Sequence, residues 1–183
     1  MGLATFKGGI HPYEGKELSM SKPVSVLQPK GEMVFPLSQH IGAPAKPLVA
    51  KGDHVLVGQK IGEPGGFISA CIISSVSGTV KSLEPRMVAN GAMVPSIIVE
   101  NDGMYETVEG FGEDRDPKTL SKEEIRNIVK EAGIVGLGGA GFPTHVKLTP
   151  KDESAIDTII VNGAECEPYL TSDYRMMLEE PLS

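Results

Sequence analysis

Two cysteines, Cys71 and Cys166, are the only thiols in this sequence, and no CxxC occurs. A disulfide framework is therefore not expected, nor a zinc or iron–sulfur site ligated by cysteines of this chain. A reducing, cytoplasmic setting fits that usage. Tryptophan is absent. No apolar run approaches the roughly 18 residues of a transmembrane helix. The opening residues, MGLATFKGGIHPYEGK, lack the apolar core of a secretory signal. Gly2 follows Met1, but Phe6 stands where a myristoylation motif needs a hydroxyl. A basic excess is lacking too. Lys and Arg number 17 against 24 Asp and Glu, giving a net charge of −7 and a pI near 5.1. That balance argues against nucleic acid and against electrostatic docking to an anionic membrane surface. No internal repeat is visible at the roughly 20–50-residue periods of solenoids.

What the sequence does contain falls into consecutive parts. Residues 1–33 read as an arm, because Gly8-Gly9, Pro12, Gly15, Pro23, Pro29 and Gly31 break up any long element. His11 and Glu14 in it read as surface polar residues rather than ligands. Residues 34–102 read as all-β. Short Val/Leu/Ile segments alternate with the turn signals Gly52-Asp53 and Gly58-Gln59, then with Gly78, and VPSIIVEND from Val94 supplies another strand. Many short strands with glycine turns predict a small sandwich or barrel.

The spacing V-x-x-G-D-x-V-x-x-G-Q-x-I from Val49 to Ile61, followed by ISSVSGTV from Ile73 to Val80, resembles the barrel-sandwich hybrid of biotinyl and lipoyl domains. Those carriers attach their cofactor to a lysine on an exposed hairpin. No lysine lies between Lys60 and Lys81, so the resemblance implies the fold without the carrier chemistry, and a structural or docking role.

Residues 103–119 are polar and read as a linker. A helix follows. Ser121 caps it, Glu124 completes a capping box, and Ile125, Ile128, Val129 and Ala132 mark one buried face. Gly133 suits its C-terminal stop. IDTIIV, Ile156 to Val161, predicts a buried strand of an α/β sheet, ended by Asn162-Gly163. A second helix is predicted from Ser172 or Asp173 through Tyr174, Met176, Met177 and Leu178. One helix, one loop, one strand and one helix do not close a parallel sheet, so residues 120–183 are expected to belong to a longer protein.

Between the first helix and the predicted strand lies GIVGLGGAGFPTHVKL, Gly133 to Leu148. Glycines 136, 138, 139 and 141 allow positive φ and close approach of a ligand to backbone amides, which together form an anion-binding concavity. Lys147 can add a point charge for a phosphate, Phe142 a stacking face, and Pro143 a stiff exit. The run is no Walker loop, since GK[ST] is missing. Gly136, Gly138 and Gly141 do spell GxGxxG, but after a helix and not a strand. On pattern alone, a plain glycine-rich loop is the better reading. VNGAECEPYLTSD, Val161 to Asp173, offers Asn162 as donor and acceptor, and Glu165 and Glu167 as carboxylates flanking Cys166 ahead of Pro168. These suit ribose hydroxyls or a carboxamide, and equally simple solvation.

Taken together, GLGGAGFPTHVKL and VNGAECEPYLTSD resemble the FMN- and NADH-binding subunit of respiratory complex I, whose pattern reads GRGGAGFPTGLKW and then NADEGEP or NADESEP. With FKGGIHPYEGKE, PLSQHIGAPAKPLVAKGDHVLVGQKIGE and SSVSGTV ahead of them, nearly the whole chain resembles the RnfC family, the C subunits of Rnf complexes. The Rnf complex is a bacterial membrane-bound machine moving electrons between NADH and ferredoxin or a quinone-like acceptor. The resemblance outweighs the plain-loop reading. It implies a two-part α+β chain: an N-terminal all-β barrel-sandwich hybrid, then the start of an α/β, Rossmann-like FMN/NADH-binding domain. It implies that Gly136, Gly138, Gly139, Ala140, Lys147, Asn162 and Glu165 contact or neighbour FMN. Phe142 would stack on the NADH adenine and Glu167 would contact NADH. Some departures from the complex I pattern bear on the site. Leu137 replaces an arginine, Ala164 an aspartate that contacts FMN, and Pro150 a second aromatic.

The implied chemistry is hydride transfer from NADH to FMN and then single electrons to 4Fe-4S clusters, whose two four-cysteine motifs follow, in the family, outside this chain. No residue here is implied as a catalytic acid, base or metal ligand, and the chain alone is expected to be inactive. Implied partners are NADH and the other Rnf subunits at the cytoplasmic face of the membrane. The alternatives are a soluble relative of the cobalamin-reductase or proline-reductase electron-carrier type, or a non-enzymatic docking module. The β domain leading the chain, and the GGIHPYEGK arm, favour the Rnf family.

Overall fold

The computed structural model describes residues 8–10, 12–165 and 167–179. His11, Cys166 and the final residues 180–183 lie outside them. The chain forms two units, Pro29–Ala155 and a second built from Met1–Gln28 together with Ile156–Ser183.

The first unit is dominated by two antiparallel sheets. One has the order β1-β7-β6-β3, from β1 (Glu32–Pro36), β7 (Met93–Asn101), β6 (Gly78–Met87) and β3 (His54–Val55). The other is β2-β4-β5, from β2 (Lys46–Pro47), β4 (Lys60–Glu63) and β5 (Ile72–Ile73). Both expected turns form in the same way. At Gly52-Asp53 the Asp53 carboxylate accepts from the Ala50 N–H at 2.8 Å, and at Gly58-Gln59 the Gln59 side-chain carbonyl accepts from the Leu56 N–H at 2.9 Å. A side chain replacing the missing backbone partner is what makes such short turns hold. Inward residues of both sheets, joined by Val76 from the connection between β5 and β6, meet in one core: Phe35, Val55, Ile61, Ile72, Val80, Ile97 and Val99. The mixture of two small sheets over one core is the barrel-sandwich arrangement that the resemblance to biotinyl and lipoyl domains implies.

The register of β1 on β7 sets Glu32 opposite Glu100, which would repel across the strands. Lys81 at 2.8 Å and Arg86 at 2.7 Å both pair with Glu32. The hydrogen bond from Lys81 and the nearby Arg86 charge hold the Glu32 carboxyl below its usual range. Residues past the strands stay attached: the Val57 N–H donates to Glu106 O at 2.8 Å and the Val108 N–H to Val57 O at 3.0 Å.

Helix α1 (Lys122–Glu131) starts at the predicted cap, with Ser121 and Glu124 completing both halves of the box. It stops at Gly133, whose φ of 68° is left-handed. Its apolar face is less covered than its periodicity implies. Ile128 and Val129 are half-buried, while Ile125 and Ala132 are exposed. Only the four-residue α2 (Thr144–Lys147) packs along it as a further helix among the described residues, too short to cover three turns. Lys60 ties Glu131, at the helix end, to β4.

The second unit contains a 3-10 turn at Lys16–Leu18 and α3 (Ser172–Glu179), the latter starting where predicted. Ile156–Val161 is a correction. The segment forms no strand and is not buried: Ile159, Ile160 and Val161 are 79%, 88% and 88% exposed. A strand needs neighbours for its N–H and C=O groups, and none pairs with this segment among the described residues. Its β-branched composition states what the chain prefers when partners are present.

Candidate functional site

The glycine-rich run is a loop pinned at its base. Val135 and Pro143 form an antiparallel bridge. The Gly136 N–H donates to Phe142 O at 2.9 Å and the Thr144 N–H to Ile134 O at 3.0 Å. The β domain supports it from outside, where the Ile41 N–H donates to Ala140 O at 3.1 Å. Gly141 has φ 64° and an added Cβ would stand 2.8 Å from Gln39 O, so only glycine fits there. Gly136, Gly138 and Gly139 do not use left-handed φ. Their value is the bareness of the backbone.

At Gly136 that bareness is occupied by a cation. Lys147, the last residue of α2, folds back over the loop, and a Cβ added at Gly136 would stand 2.5 Å from its Nζ. Gly138 and Gly139 face open space, with nothing within 4 Å of an added Cβ. Ser38, Gln39, Ile41 and Asn90 of the β domain wall a cleft of about 520 Å³ along this loop. That is within the roughly 300–1,000 Å³ of small-molecule sites. Bare amides beside an ammonium and an open cleft suit a phosphate-bearing ligand such as FMN. Phe142 is half-buried, with its carbonyl engaged in the loop's closure.

The acidic stretch belongs to the second unit. Asn162 Oδ1 accepts from the Ala164 N–H at 2.9 Å, shaping the turn. Glu165 Oε1 accepts from the Asp173 N–H at 2.8 Å and from Ser172 Oγ at 3.2 Å. This carboxylate therefore caps α3, where anionic groups offset the helix dipole. The ring of Tyr13 meets that of Tyr169 edge-on at 6.2 Å. Tyr169 takes φ 68°, and its N–H donates to Glu14 O at 2.6 Å. Ser19 Oγ donates to Tyr169 O at 3.0 Å. Lys16 Nζ donates to the carbonyls of Glu165, Glu167 and Leu170 at 3.3, 3.3 and 2.9 Å. The arm is thus bound to the acidic loop. Sequence reasoning assigned it no such role, because YEGKELS carries no apolar periodicity.

The structure thus places Gly136, Gly138, Gly139, Ala140, Phe142 and Lys147 together in one unit, and Asn162, Glu165 and Glu167 together in the other. One further constellation resembles hydrolase machinery but is wired otherwise. Asp102 sits in the middle, accepting from Ser77 Oγ at 2.7 Å and lying 3.2 Å from His54 Nε2. Ser77 is fully buried. With the carboxylate between serine and imidazole, the histidine is not placed to activate a nucleophile. The Met104 N–H and Ser77 hold the Asp102 carboxyl below its usual range, so the group serves to anchor the end of β7.

Known proteins bear directly on these features. A family profile described as the RnfC barrel sandwich hybrid domain matches residues 4–104. A second, the Nuo51 FMN-binding domain, matches residues 129–183 and so takes in both motifs. The C subunit of the proton-translocating ferredoxin:NAD(+) oxidoreductase complex of Clostridium ljungdahlii is 46% identical over 97% of this chain and 39% of its own length. The C subunit of the Na(+)-translocating ferredoxin:NAD(+) oxidoreductase complex of Acetobacterium woodii is 45% identical over 96% of this chain and 40% of its own. For the C subunit of the ion-translocating oxidoreductase complex of Haemophilus influenzae the figures are 40%, 97% and 27%. The chain spans about two fifths or less of these relatives. With its two-sheet barrel, its lysine-covered glycine loop and these matches in one order, the chain belongs to the RnfC family.

Proposed function

We propose that this chain is the FMN-carrying start of an NADH-oxidising subunit of an Rnf-type NADH:ferredoxin oxidoreductase. The observation that carries the reading is the Lys147 ammonium standing over the side-chain-free Gly136, within a segment that matches an FMN-binding domain. Lys147 and the loop amides hold the phosphate. Gly138, Gly139 and Ala140 leave the backbone open for the flavin to lie against it. Phe142 stacks on the NADH adenine, and Glu167 accepts from a ribose hydroxyl or the carboxamide. Glu165, whose Oε1 caps α3, is the acidic neighbour of the flavin in this reading. Asn162 completes the polar set. Bound FMN supplies hydride acceptance at N5 and one-electron release; the residues here bind, orient and exclude water.

Four-cysteine iron–sulfur motifs belong outside this chain, which has two cysteines in all. Partners are the other Rnf subunits at the cytoplasmic membrane face. Among the described residues no helix is long and apolar enough to cross a membrane, and on this reading attachment runs through the complex. The exposed Ile159, Ile160 and Val161 support the expectation that residues 1–183 alone are inactive, since that apolar run awaits a sheet.

The test is the full-length subunit purified and assayed for flavin content and for NADH oxidation with ferricyanide. Stoichiometric FMN that NADH bleaches is the expected result. A flavin-free protein inert to NADH would leave a docking module.

A further inference from the structure

Three carbonyl oxygens of one short loop converge on a single ammonium. Lys16 Nζ lies 3.3 Å from Glu165 O, 3.3 Å from Glu167 O and 2.9 Å from Leu170 O. An ammonium has three N–H donors and no acceptor, so this loop can use all of them. Carbonyl dipoles aimed at one point repel each other unless a cation stands there, and charge-assisted hydrogen bonds are the stronger kind. Two of the three carbonyls belong to Glu165 and Glu167, so the contact fixes the backbone from which both carboxylates spring.

Lys16 is itself held. It opens a one-turn 3-10 helix after Gly15, whose φ of 61° turns the chain. The Met20 N–H donates to Lys16 O at 2.8 Å. Around it, Tyr169 in its left-handed conformation bonds to Glu14 O, and Thr171 Oγ1 donates to Ser19 Oγ at 2.9 Å. The loop is thus gripped on both sides of the ammonium. Arg175 Nη1 donates to Met20 O at 3.0 Å, and both Glu179 oxygens accept from the Val24 N–H at 3.0 Å, so α3 holds the same arm.

We propose that Lys16 is a positioning residue for nucleotide binding: its ammonium sets the conformation of residues 162–165 and 167–171 and thereby the placement of Glu167 for NADH. This rests on the functional reading above.

The experiment uses the full-length, FMN-loaded subunit as wild type, Lys16→Met, Lys16→Arg and the control Lys22→Met. The readouts are flavin content, KM and kcat for NADH with ferricyanide, and amide hydrogen exchange of residues 162–171. Lys16→Met should raise KM about tenfold, the loss of one charge-assisted contact network. It should speed exchange in the loop while flavin content and kcat stay within about twofold. Lys16→Arg keeps the charge but not the three-way geometry and should fall between. KM and loop exchange unchanged in Lys16→Met would overturn the proposal, as would an equal KM rise in Lys22→Met. Should Lys16→Met fail to fold, Lys16→Arg decides: an intermediate KM supports the positioning role and a wild-type KM overturns it. A wild-type protein without flavin or NADH oxidation defeats the functional reading instead, and the exchange measurement, which needs no NADH, still tests the grip of Lys16 on the loop.

Discussion

Gly136→Ala is a small change with a calculable consequence. The added Cβ would lie 2.5 Å from Lys147 Nζ and 3.7 Å from Phe142 O. The second contact is ordinary. The first is not, and a normal carbon contact of about 3.5–4.0 Å requires the ammonium to retreat by roughly 1–1.5 Å. Lys147 is exposed and ends a flexible stem, so it can move at little cost to the fold. Residue 136 is not in left-handed φ, so alanine fits the backbone, and stability should change by less than about 1 kcal/mol. What is lost is the cation's seat over the loop. A hydrogen bond to a charged group is worth about 1.5–3 kcal/mol, so FMN affinity should fall about ten- to a hundredfold. The assay is quenching of flavin fluorescence on titrating FMN with the deflavinated full-length protein. Gly136→Ala, Lys147→Ala and the double variant form a cycle, and the two losses should not add, because both act through one ammonium. Additive losses, or full affinity in Gly136→Ala, would refute the reasoning. Gly138→Ala is the companion: nothing lies within 4 Å of its Cβ, so any loss of affinity there reports the ligand itself.

Glu167→Ala should raise KM for NADH by about ten- to a hundredfold, for about 1–3 kcal/mol of lost acceptor, while FMN stays bound; Lys147→Ala should do the reverse. Emptied flavin in Glu167→Ala with full flavin in Lys147→Ala would invert the two assignments. The β domain should carry no biotin or lipoate, since no lysine lies between Lys60 and Lys81 and Lys60 is paired with Glu131; an intact mass shifted by either group would refute it. Burial holds His40 below the ordinary imidazole value of 6.5, so its folded form resists protonation. Its contribution is complete above that value and is lost as the pH falls below it toward the folded pKa. His40→Gln should therefore flatten the fall in melting temperature between about pH 7.5 and 5, and an unchanged slope would remove His40 from the account.

The geometry around His40 gives that prediction its cause. His40 Nε2 lies 3.2 Å from Ala70 O, and a carbonyl only accepts, so Nε2 carries the hydrogen. Nδ1 is buried with no partner among the described residues. A second proton would have to sit there without an acceptor, which costs more than burial of a neutral ring. None of this was legible in SQHIGAPAKP, where the histidine reads as one polar residue in a loop. By contrast, the turn at Gly52-Asp53, the turn at Gly58-Gln59 and the cap at Ser121 were legible. Each is a local device whose partners lie within three residues.

The same distinction separates the parts of the candidate site. The glycine loop announced itself because bare backbone needs glycine at fixed spacing, and Lys147 lies close enough in sequence to return over Gly136. Even so, the loop's outer support from Ile41 and Gln39 comes from far along the chain, and no local pattern encodes such a contact. Lys16 and the acidic loop stand further apart still, 149 residues for Glu165. A lysine among glutamates in YEGKELS looks solvated until its three carbonyl partners are seen. Ile156–Val161 fails in the opposite direction. Its composition is that of a buried strand, but composition records only a side-chain preference, while a strand exists through hydrogen bonds to other strands. Among the described residues no partner strand lies alongside, so the preference goes unexpressed and Ile160 and Val161 face outward at 88% exposure. Local chemistry can be read from the sequence at the resolution of a turn or a cap. A binding loop can be read only as far as its own backbone, because the residues that hold it in shape, Lys16 above all, are chosen by the fold.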